Sequence, residues 1–188
     1  MLGITGVGTV NRAKRHNKVT KADARRTARW KVQQVQSQDL PGYSSWRGAT
    51  IGKPVTFHAK NHRKGPDYVP SAYVFTVMNR GSDVGYVTIS ADRRNPPIME
   101  FSNAASPSKQ ANKVKSRTKA AGHSPTGRKL YHGGLDYQVE LHGGVGVNVQ
   151  SGVTSGIHAR SKFNPSKNKI DDRRVDEQWD EISERGGK

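Results

Sequence analysis

The 188-residue chain contains no cysteine, which excludes disulfide bonds, thiolate nucleophiles and every zinc or iron–sulfur site that needs cysteine ligands. No apolar run approaches the roughly 20 residues that a transmembrane helix requires. Hydrophobic residues make up only 32% of the chain and the mean hydropathy is −0.84, so only part of the sequence can bury a core. The apolar residues concentrate between positions 51 and 153. This distribution fits one core of about 100 residues.

Acidic residues are scarce, with 15 Asp and Glu against 32 Lys and Arg, and the formal net charge is +17. Residues 1–64 alone hold 14 basic and 2 acidic side chains. Such an arm binds polyanions because each neutralised phosphate releases counterions. The candidate polyanion-binding residues are Lys18, Lys21, Arg25, Arg26 and Arg29. No helix-turn-helix, zinc-finger or RNA-binding signature accompanies them, so we expect non-specific binding of nucleic acid. The alternatives are a solvated arm, an acidic protein partner and an anionic membrane surface.

Catalytic motifs are also missing. His58 and His62 have the four-residue spacing of a helical zinc site, but Ala59 replaces the glutamate of the metalloprotease motif. Gly65 and Pro66 favour a loop there. No Gly-x-Ser-x-Gly motif occurs, and the carboxylates of the core are scattered rather than paired. The sequence therefore predicts a protein without enzymatic activity, bound metal or cofactor.

The most informative segment is 72–102, which predicts a three-stranded meander. Two β-type runs, 73–78 and 84–91, flank a polar turn at 79–83, and a third run, 98–102, follows Pro96-Pro97. Tyr73, Phe75 and Tyr86 could imitate the stacking aromatics of an RNA-binding sheet, but strand alternation favours core positions for them.

This order of strands, with Gly85, Ser90 and Asp92 at fixed places, resembles the propeptide domains of streptopain-type cysteine peptidases. It is equally similar to the N-terminal modules that precede bacteriocin-processing peptidases and halocin-type antimicrobial peptides. Residues 129–141 resemble the strand pair that follows in the halocin-type precursors, and the likeness extends over about 20–142. A generic antiparallel sheet with aromatic and β-branched strands is the alternative explanation.

The resemblance implies an inhibitor, chaperone or immunity element rather than a catalyst. This chain lacks the peptidase domain, the catalytic cysteine and the Cys-rich peptide of such precursors. Its target would therefore be a separate chain, either a secreted peptidase or an antimicrobial peptide. Loops between strands are the exposed parts of a sheet, so we expect the partner to contact two of them. The candidate partner-binding residues are Asn79, Arg80, Asp83, Asp92, Arg93, Arg94 and Asn95.

The predicted fold is α+β, with an antiparallel sheet of about five strands from 53 to 149 and two helices covering one face. Thr20 with Asp23 approximates a capping box for a helix over 20–38. Ser106-Pro107 and Gly122 mark the start and end of a helix over 107–121. The single domain spans 20–159, and the mixed-charge tail 160–188 is predicted to be disordered, or helical only near 175–182.

The N-terminal residues suggest where in or outside the cell the protein acts. Residues 1–10 are apolar, Gly-rich and uncharged, and basic residues follow, as in a signal-peptide core that has lost its charged start. We therefore interpret 1–18 as a truncated signal-peptide remnant and basic arm. This interpretation predicts a secreted or surface-associated protein. If residues 1–10 are not a signal remnant, the protein is cytoplasmic.

Overall fold

A computed structural model describes residues 17–61, 67–157 and 172–185. These ranges contain three α-helices, one short 3₁₀ helix and nine strands in an α+β arrangement. The helices are α1 (Lys21–Ser37), α2 (Pro107–Ala120) and α3 (Asp172–Arg185), and the 3₁₀ helix is Ser44–Trp46. The strands are β1 (Thr50–Ile51), β2 (Val55–Lys60), β3 (Tyr68–Asn79), β4 (Ser82–Ser90), β5 (Ile98–Ser102), β6 (Pro125–Tyr131), β7 (Tyr137–Leu141), β8 (Val145–Asn148) and β9 (Thr154–Gly156).

The strands form one mostly antiparallel sheet in the order β5-β4-β3-β2-β6-β7-β8-β9, and β1 pairs with β3. One parallel pairing, between His58 of β2 and Leu130 of β6, joins β2, the neighbour of the β3–β4–β5 meander, to the later strands. The predicted count of about five strands is therefore too low. Two of the additional strands are short: β1 has two residues, and β9 consists of Thr-Ser-Gly without an apolar side chain. Neither has the alternating pattern that identifies a strand in a sequence.

The β3–β4 hairpin has a tighter turn than the predicted five residues. Arg80 and Gly81 have φ values of 49° and 80° and connect strands that end at Asn79 and resume at Ser82. Two successive positive φ angles are typical of the type I′ turn, whose twist matches that of the flanking strands.

Gly85 is required where the indole of Trp46 packs against β4. Its φ is 153°, and a Cβ at this position would lie 2.3 Å from the Ser102 carbonyl oxygen and 2.7 Å from Trp46 Nε1. The Trp46 indole N–H donates a hydrogen bond of 2.8 Å to the Val84 carbonyl. Glycine thus makes room for the buried aromatic that attaches the 38–49 connector to the sheet.

The helices cover opposite faces of the sheet, which corrects the expectation that they share one face. We call the face that carries Tyr73 and Phe75 the first face, and α1 and α3 pack on it through residues such as Val32 and Trp179. The second face carries Val74, and α2 packs there. Both faces of β3 are buried, so its side chains do not alternate between apolar and polar.

The helix boundaries follow the sequence signals. Thr20 caps α1, and the reciprocal bonds of a capping box with Asp23 are present. Ser106 is the N-cap of α2 and Pro107 its first residue. The Ser106 hydroxyl does not cap the helix but accepts a hydrogen bond of 3.1 Å from Thr76 Oγ1, which ties the start of α2 to β3.

The charged tail contains a docked helix over much of its length. Val175, Trp179 and Ile182 lie on one side of α3 and are at most 5% exposed. Their spacing of four and three residues forms the apolar stripe of an amphipathic helix. The remainder of the predicted disordered tail, 160–171 and 186–188, lies outside the described residues, as do residues 1–16 of the proposed signal remnant and basic arm at 1–18. None of the helices in the described ranges has the length and apolar character to cross a membrane.

Candidate functional site

The first predicted partner loop is largely engaged within the protein. Asn79 Nδ2 donates hydrogen bonds of 2.8 and 2.9 Å to the backbone carbonyls of Ser45 and Arg47. Asp83 forms an ion pair with Lys109 of α2. Arg80 alone of the three predicted residues is exposed, at the tip of the hairpin. It is therefore the residue of this loop that is free to meet a partner.

The second predicted partner loop, 92–97, is partly covered by α3. The Trp179 indole N–H donates a bond of 2.9 Å to the Asn95 carbonyl, and the Arg93 guanidinium lies 5.1 Å from the Trp179 ring centroid. Arg94 is exposed and pairs with the carboxylate of Asp92. Arg94 is thus the most accessible of the four predicted residues in this loop.

The two loops lie at opposite ends of β4, because the hairpin precedes this strand and residues 92–97 follow it. Nine residues of strand separate them, or about 30 Å. A small partner therefore cannot touch both loops unless it also runs along the sheet. Between the two regions lies β5, which follows the 92–97 loop, pairs antiparallel with residues 86–89 of β4 and stands at the end of the strand order.

The outer edge of β5 is available within the described part of the chain. No described strand pairs with its outer side, and its five residues are all half-buried. Phe101 packs on the first face, where the Lys31 ammonium lies 4.0 Å from its ring centroid. An edge strand presents unpaired backbone groups to which an extended segment can add.

The predicted polyanion-binding residues occupy α1 and the segment before it. Arg26 pairs with Asp23, and Arg25 donates a hydrogen bond of 3.3 Å to the Gly52 carbonyl. The other three, Lys18, Lys21 and Arg29, are exposed and form no ion pair within the described ranges. These three side chains remain free to meet anions.

A second cationic surface lies on α2. Residues 101–135 contain seven Lys and Arg and no Asp or Glu. The exposed members on this helix are Lys109, Lys113, Lys115, Arg117 and Lys119. Burial, and to a smaller extent the neighbouring charge of Lys115, lowers the pKa of Lys129 on β6. The sequence showed that this helix is rich in lysine, but it did not show that Lys129 of β6 lies beside these lysines in the folded protein.

Two carboxylates of the sheet are enclosed in hydrogen-bond networks. Glu100 accepts bonds from the hydroxyls of Tyr86 and Tyr137, the latter at 2.8 Å. The Tyr137 hydroxyl also lies 2.7 Å from Thr88 Oγ1. Burial, followed by contact with the Glu100 carboxylate, raises the pKa of Tyr86 well above its ordinary value. These groups are bonded to one another across the second face of the sheet.

Glu140 is the centre of the other network and is only 5% exposed. It accepts hydrogen bonds from Tyr68, Thr126 and Arg128. Burial raises the pKa of Glu140, but these bonds and the Arg128 charge offset that effect, so its pKa lies below the ordinary value. A β-bulge in β3 places Tyr68 on the same face of the sheet as Glu140. Phe57 pairs with Ala72 but His58 pairs with Pro70, so β3 carries one extra residue and the side chains before the bulge change face.

The predicted absence of a metal site at His58 and His62 is untested, since His62 lies outside the described residues. His58 lies on β2, and burial lowers its pKa. The structure describes no cluster of three or more metal-ligating side chains in residues 17–61, 67–157 and 172–185. Tyr73, Phe75 and Tyr86 are at most 3% exposed, so they are core residues as predicted and offer no stacking surface.

Comparison with protein-family models, curated proteins and solved structures gives no match to this chain.

Proposed function

We propose that this protein is a non-catalytic binding module of the propeptide or immunity type. Its target is a separate chain, either a secreted peptidase that it inhibits or an antimicrobial peptide that it sequesters. The observation that carries the proposal is the position of β5, the last strand of the β3–β4–β5 meander and the edge of the described sheet. The same meander carries the resemblance to propeptide and halocin-type modules.

An extended segment of the target adds to β5 by main-chain hydrogen bonds. It runs from the 92–97 loop at one end of the strand towards the hairpin turn at the other. Arg94 is exposed in the 92–97 loop and Arg80 at the hairpin turn beyond the Tyr86–Ser102 pair, and the half-buried Lys31 packs on Phe101 of β5. Three cations along one path favour a target segment with acidic side chains.

The internal networks of Glu100 and Glu140 support a binding role without turnover. A general acid or base must reach a substrate proton within hydrogen-bond distance. Both oxygens of each carboxylate already accept hydrogen bonds from side chains of the sheet. These groups hold strands together and specify the fold.

The test combines inhibition and binding. A streptopain-type cysteine peptidase is assayed on a fluorogenic peptide while the purified protein is titrated, and a halocin-type peptide is titrated by calorimetry. We expect saturable inhibition or binding, with the protein intact by mass spectrometry. The proposal would be contradicted if the protein neither inhibited the peptidase nor bound the halocin-type peptide, or if the peptidase steadily cleaved the protein as a substrate.

A double variant, Arg80→Asn with Arg94→Ala, locates the interface. Asparagine tolerates the positive φ of position 80, and the Arg94 backbone N–H still bonds Asp92 after truncation, at 3.0 Å. We expect the affinity to fall about tenfold, with little change in thermal midpoint. The matched control, Lys60→Ala with Lys119→Ala, removes two exposed cations away from β5 and should leave the affinity within about twofold.

A second candidate function, non-specific binding of nucleic acid through α1, rests on the exposed and unpaired side chains of Lys18, Lys21 and Arg29. Replacing Lys21 and Arg29 by glutamine should weaken binding of any DNA duplex and reduce the salt dependence by about one to two counterions. Fluorescence anisotropy at several salt concentrations measures both quantities. An unchanged salt slope would exclude α1 as the contact surface.

A further inference from the structure

Three large hydrophobic side chains are exposed in the described part of the chain, and all three lie at one end of the sheet. They are Val69, Leu135 and Val153, with exposed fractions of 36%, 49% and 63%. Val69 is the second residue of β3, Leu135 lies in the turn between β6 and β7, and Val153 lies in the turn between β8 and β9. Apolar side chains that collect on one surface mark a site of interaction more often than single exposed ones do.

The strand pairings bring these three positions together. Lys60, the last residue of β2, pairs with Tyr68, the first residue of β3, and β2 runs parallel to β6. The turn from β6 into β7 therefore lies at the end of the sheet where β3 begins. Gln138 of β7 pairs with Asn148 of β8, so the turn after β8 lies there as well. We call this the loop end of the sheet.

Leu135 has a backbone conformation that does not favour leucine. Its φ is 71°, in the left-handed region, and it follows Gly133 and Gly134. Glycine or asparagine would adopt this φ at lower cost and would not expose an apolar side chain to water. Unfavourable backbone conformations cluster at functional sites, where the side chain has a role outside the core.

Exposed cations surround the apolar side chains of the loop end. Lys60 is exposed at the end of β2. Lys113 and Arg117 of α2 are exposed and line an open groove together with residues 149–150, the first two of the turn that holds Val153. None of these cations forms an ion pair within residues 17–61, 67–157 and 172–185.

The carboxylates of the loop end do not balance these cations. Asp136 accepts hydrogen bonds from side chains of β7 and β8, and Asp67 is exposed. The exposed Lys18 also lies on this side, because it pairs with Asp92 just beyond the end of β4. Asp92 is itself neutralised by Arg94. The unpaired cations therefore outnumber the carboxylates, and an anionic surface is attracted to this end.

We propose that the loop end docks on the surface of an anionic bilayer. The side chains of Leu135 and Val153 enter the boundary between the headgroups and the acyl chains, as the apolar residues of interfacial proteins do. The cations around them contact anionic headgroups. This surface is separate from the edge of β5, since β6 to β9 form the opposite side of the strand order.

The spacing of the apolar side chains favours a bilayer over a protein partner. Leu135 and Val153 lie on separate turns, two strand spacings or about 10 Å apart, and do not form one continuous patch. The core of a protein interface is packed continuously, whereas lipids rearrange around isolated side chains. A nucleic acid would satisfy the cations but would leave the leucine and valine in water.

Vesicle binding by the full chain tests the proposal. Sedimentation uses phosphatidylcholine vesicles with and without about one-third phosphatidylserine, at about 0.15 M salt. We expect binding to the anionic vesicles only. Leu135→Asn with Val153→Ser removes both apolar side chains without changing charge, and asparagine tolerates the positive φ of position 135. This variant should bind anionic vesicles about tenfold more weakly or less, with an unchanged melting curve by circular dichroism.

A second pair of variants separates local charge from total charge. Lys60→Ala with Lys113→Ala removes two cations of the loop end and should weaken vesicle binding about tenfold. The matched control, Lys53→Ala with Lys119→Ala, removes two exposed cations at the opposite end of the sheet, before β2 and before β6. These lie farther from the bilayer than the Debye length of about 8 Å, so the control should bind within about twofold of the wild type.

Insertion is measured directly with a polarity-sensitive dye on a single introduced cysteine, because the chain has none of its own. The dye at Val153→Cys should shift to the blue on anionic vesicles, and the dye at Lys53→Cys should not. Equal vesicle binding by the wild type and the Leu135→Asn, Val153→Ser variant would overturn the proposal, since charge alone would then account for binding. Absence of vesicle binding, with loss of peptidase or peptide binding in that variant, would also overturn it and assign the loop end to a protein target.

Discussion

At the scale of single residues, Gly85 is a position that has no room for a side chain. An alanine there would adopt φ 153° and place its Cβ 2.3 Å from a backbone oxygen of β5, an atom that cannot move without displacing the strand. We expect Gly85→Ala to lower the free energy of unfolding by about 3 kcal/mol or more. Gly81→Ala is the control, because it shares a positive φ but has open space around it, and should cost about 1 kcal/mol. Urea unfolding measures both, and equal losses would refute the steric account.

Glu140 makes the stability of the protein depend on pH. Its pKa is lower in the folded protein than the ordinary value of 4.5, so its contribution is fully present above that value. The contribution is lost as the pH falls through the lower pKa of the folded state. We expect Glu140→Gln to reduce the unfolding free energy by about 1 kcal/mol at pH 7, a modest value because the Arg128 side chain is 37% exposed.

The difference in unfolding free energy between wild type and Glu140→Gln should therefore shrink when urea unfolding is repeated between pH 5 and pH 3. Thr126→Val removes one hydrogen bond to Glu140 without changing charge, and should alter the same pH dependence to a smaller extent. A difference that is constant across this range would show that the carboxylate is not held in its ionised form.

At the scale of elements, Trp179 is the largest of the three buried side chains that dock α3 on the sheet. Trp179 is 2% exposed, donates to the Asn95 carbonyl and lies beside Arg93. Truncation of a buried Trp costs about 3–5 kcal/mol. We expect Trp179→Ala to release α3, so that limited proteolysis removes 172–185 while the sheet survives. Glu177→Ala, an exposed change on the same helix, should leave α3 protected. Protection of α3 in the Trp179 variant would mean that Val175 and Ile182 suffice to dock it.

Some helices and strand pairings could be predicted from local sequence patterns, and others could not. Thr20, Asp23 and Ser106-Pro107 marked the starts of α1 and α2, because capping uses a few residue types at fixed spacings. The opposed faces were also signalled, since residues 72–78 are almost continuously apolar and such a strand is buried on both sides. The parallel pairing of β2 with β6 joins residues about 70 positions apart, and no local pattern encodes such a contact.

The candidate site was only partly predictable for the same reason. Turn chemistry placed the loops at 79–83 and 92–97, and exposure of Arg80 and Arg94 agrees with a surface role. Trp179 of α3 covers Arg93 and Asn95. It lies more than 80 positions later in the sequence, in a segment that we expected to be disordered, so no local pattern predicted this contact.

At the scale of the whole molecule, a sheet buried on both faces carries two of the surfaces that we propose for binding, the β5 edge and the cations of α1. The sequence predicts a protease-resistant domain at 53–149. The packing of α1 on the first face extends the expected resistant fragment to include 21–37. The central claim remains that the edge of β5 holds an extended segment of the target.

Hydrogen exchange with mass spectrometry, with and without a streptopain-type peptidase or a halocin-type peptide, tests that claim most directly. Edge amides of a free strand exchange with solvent, and addition of a new strand protects them. We predict new protection within 98–102, weaker protection near Arg80 and Arg94, and little change on α2. Protection confined to α1 or α2, with 98–102 exchanging as in the free protein, would contradict the proposal.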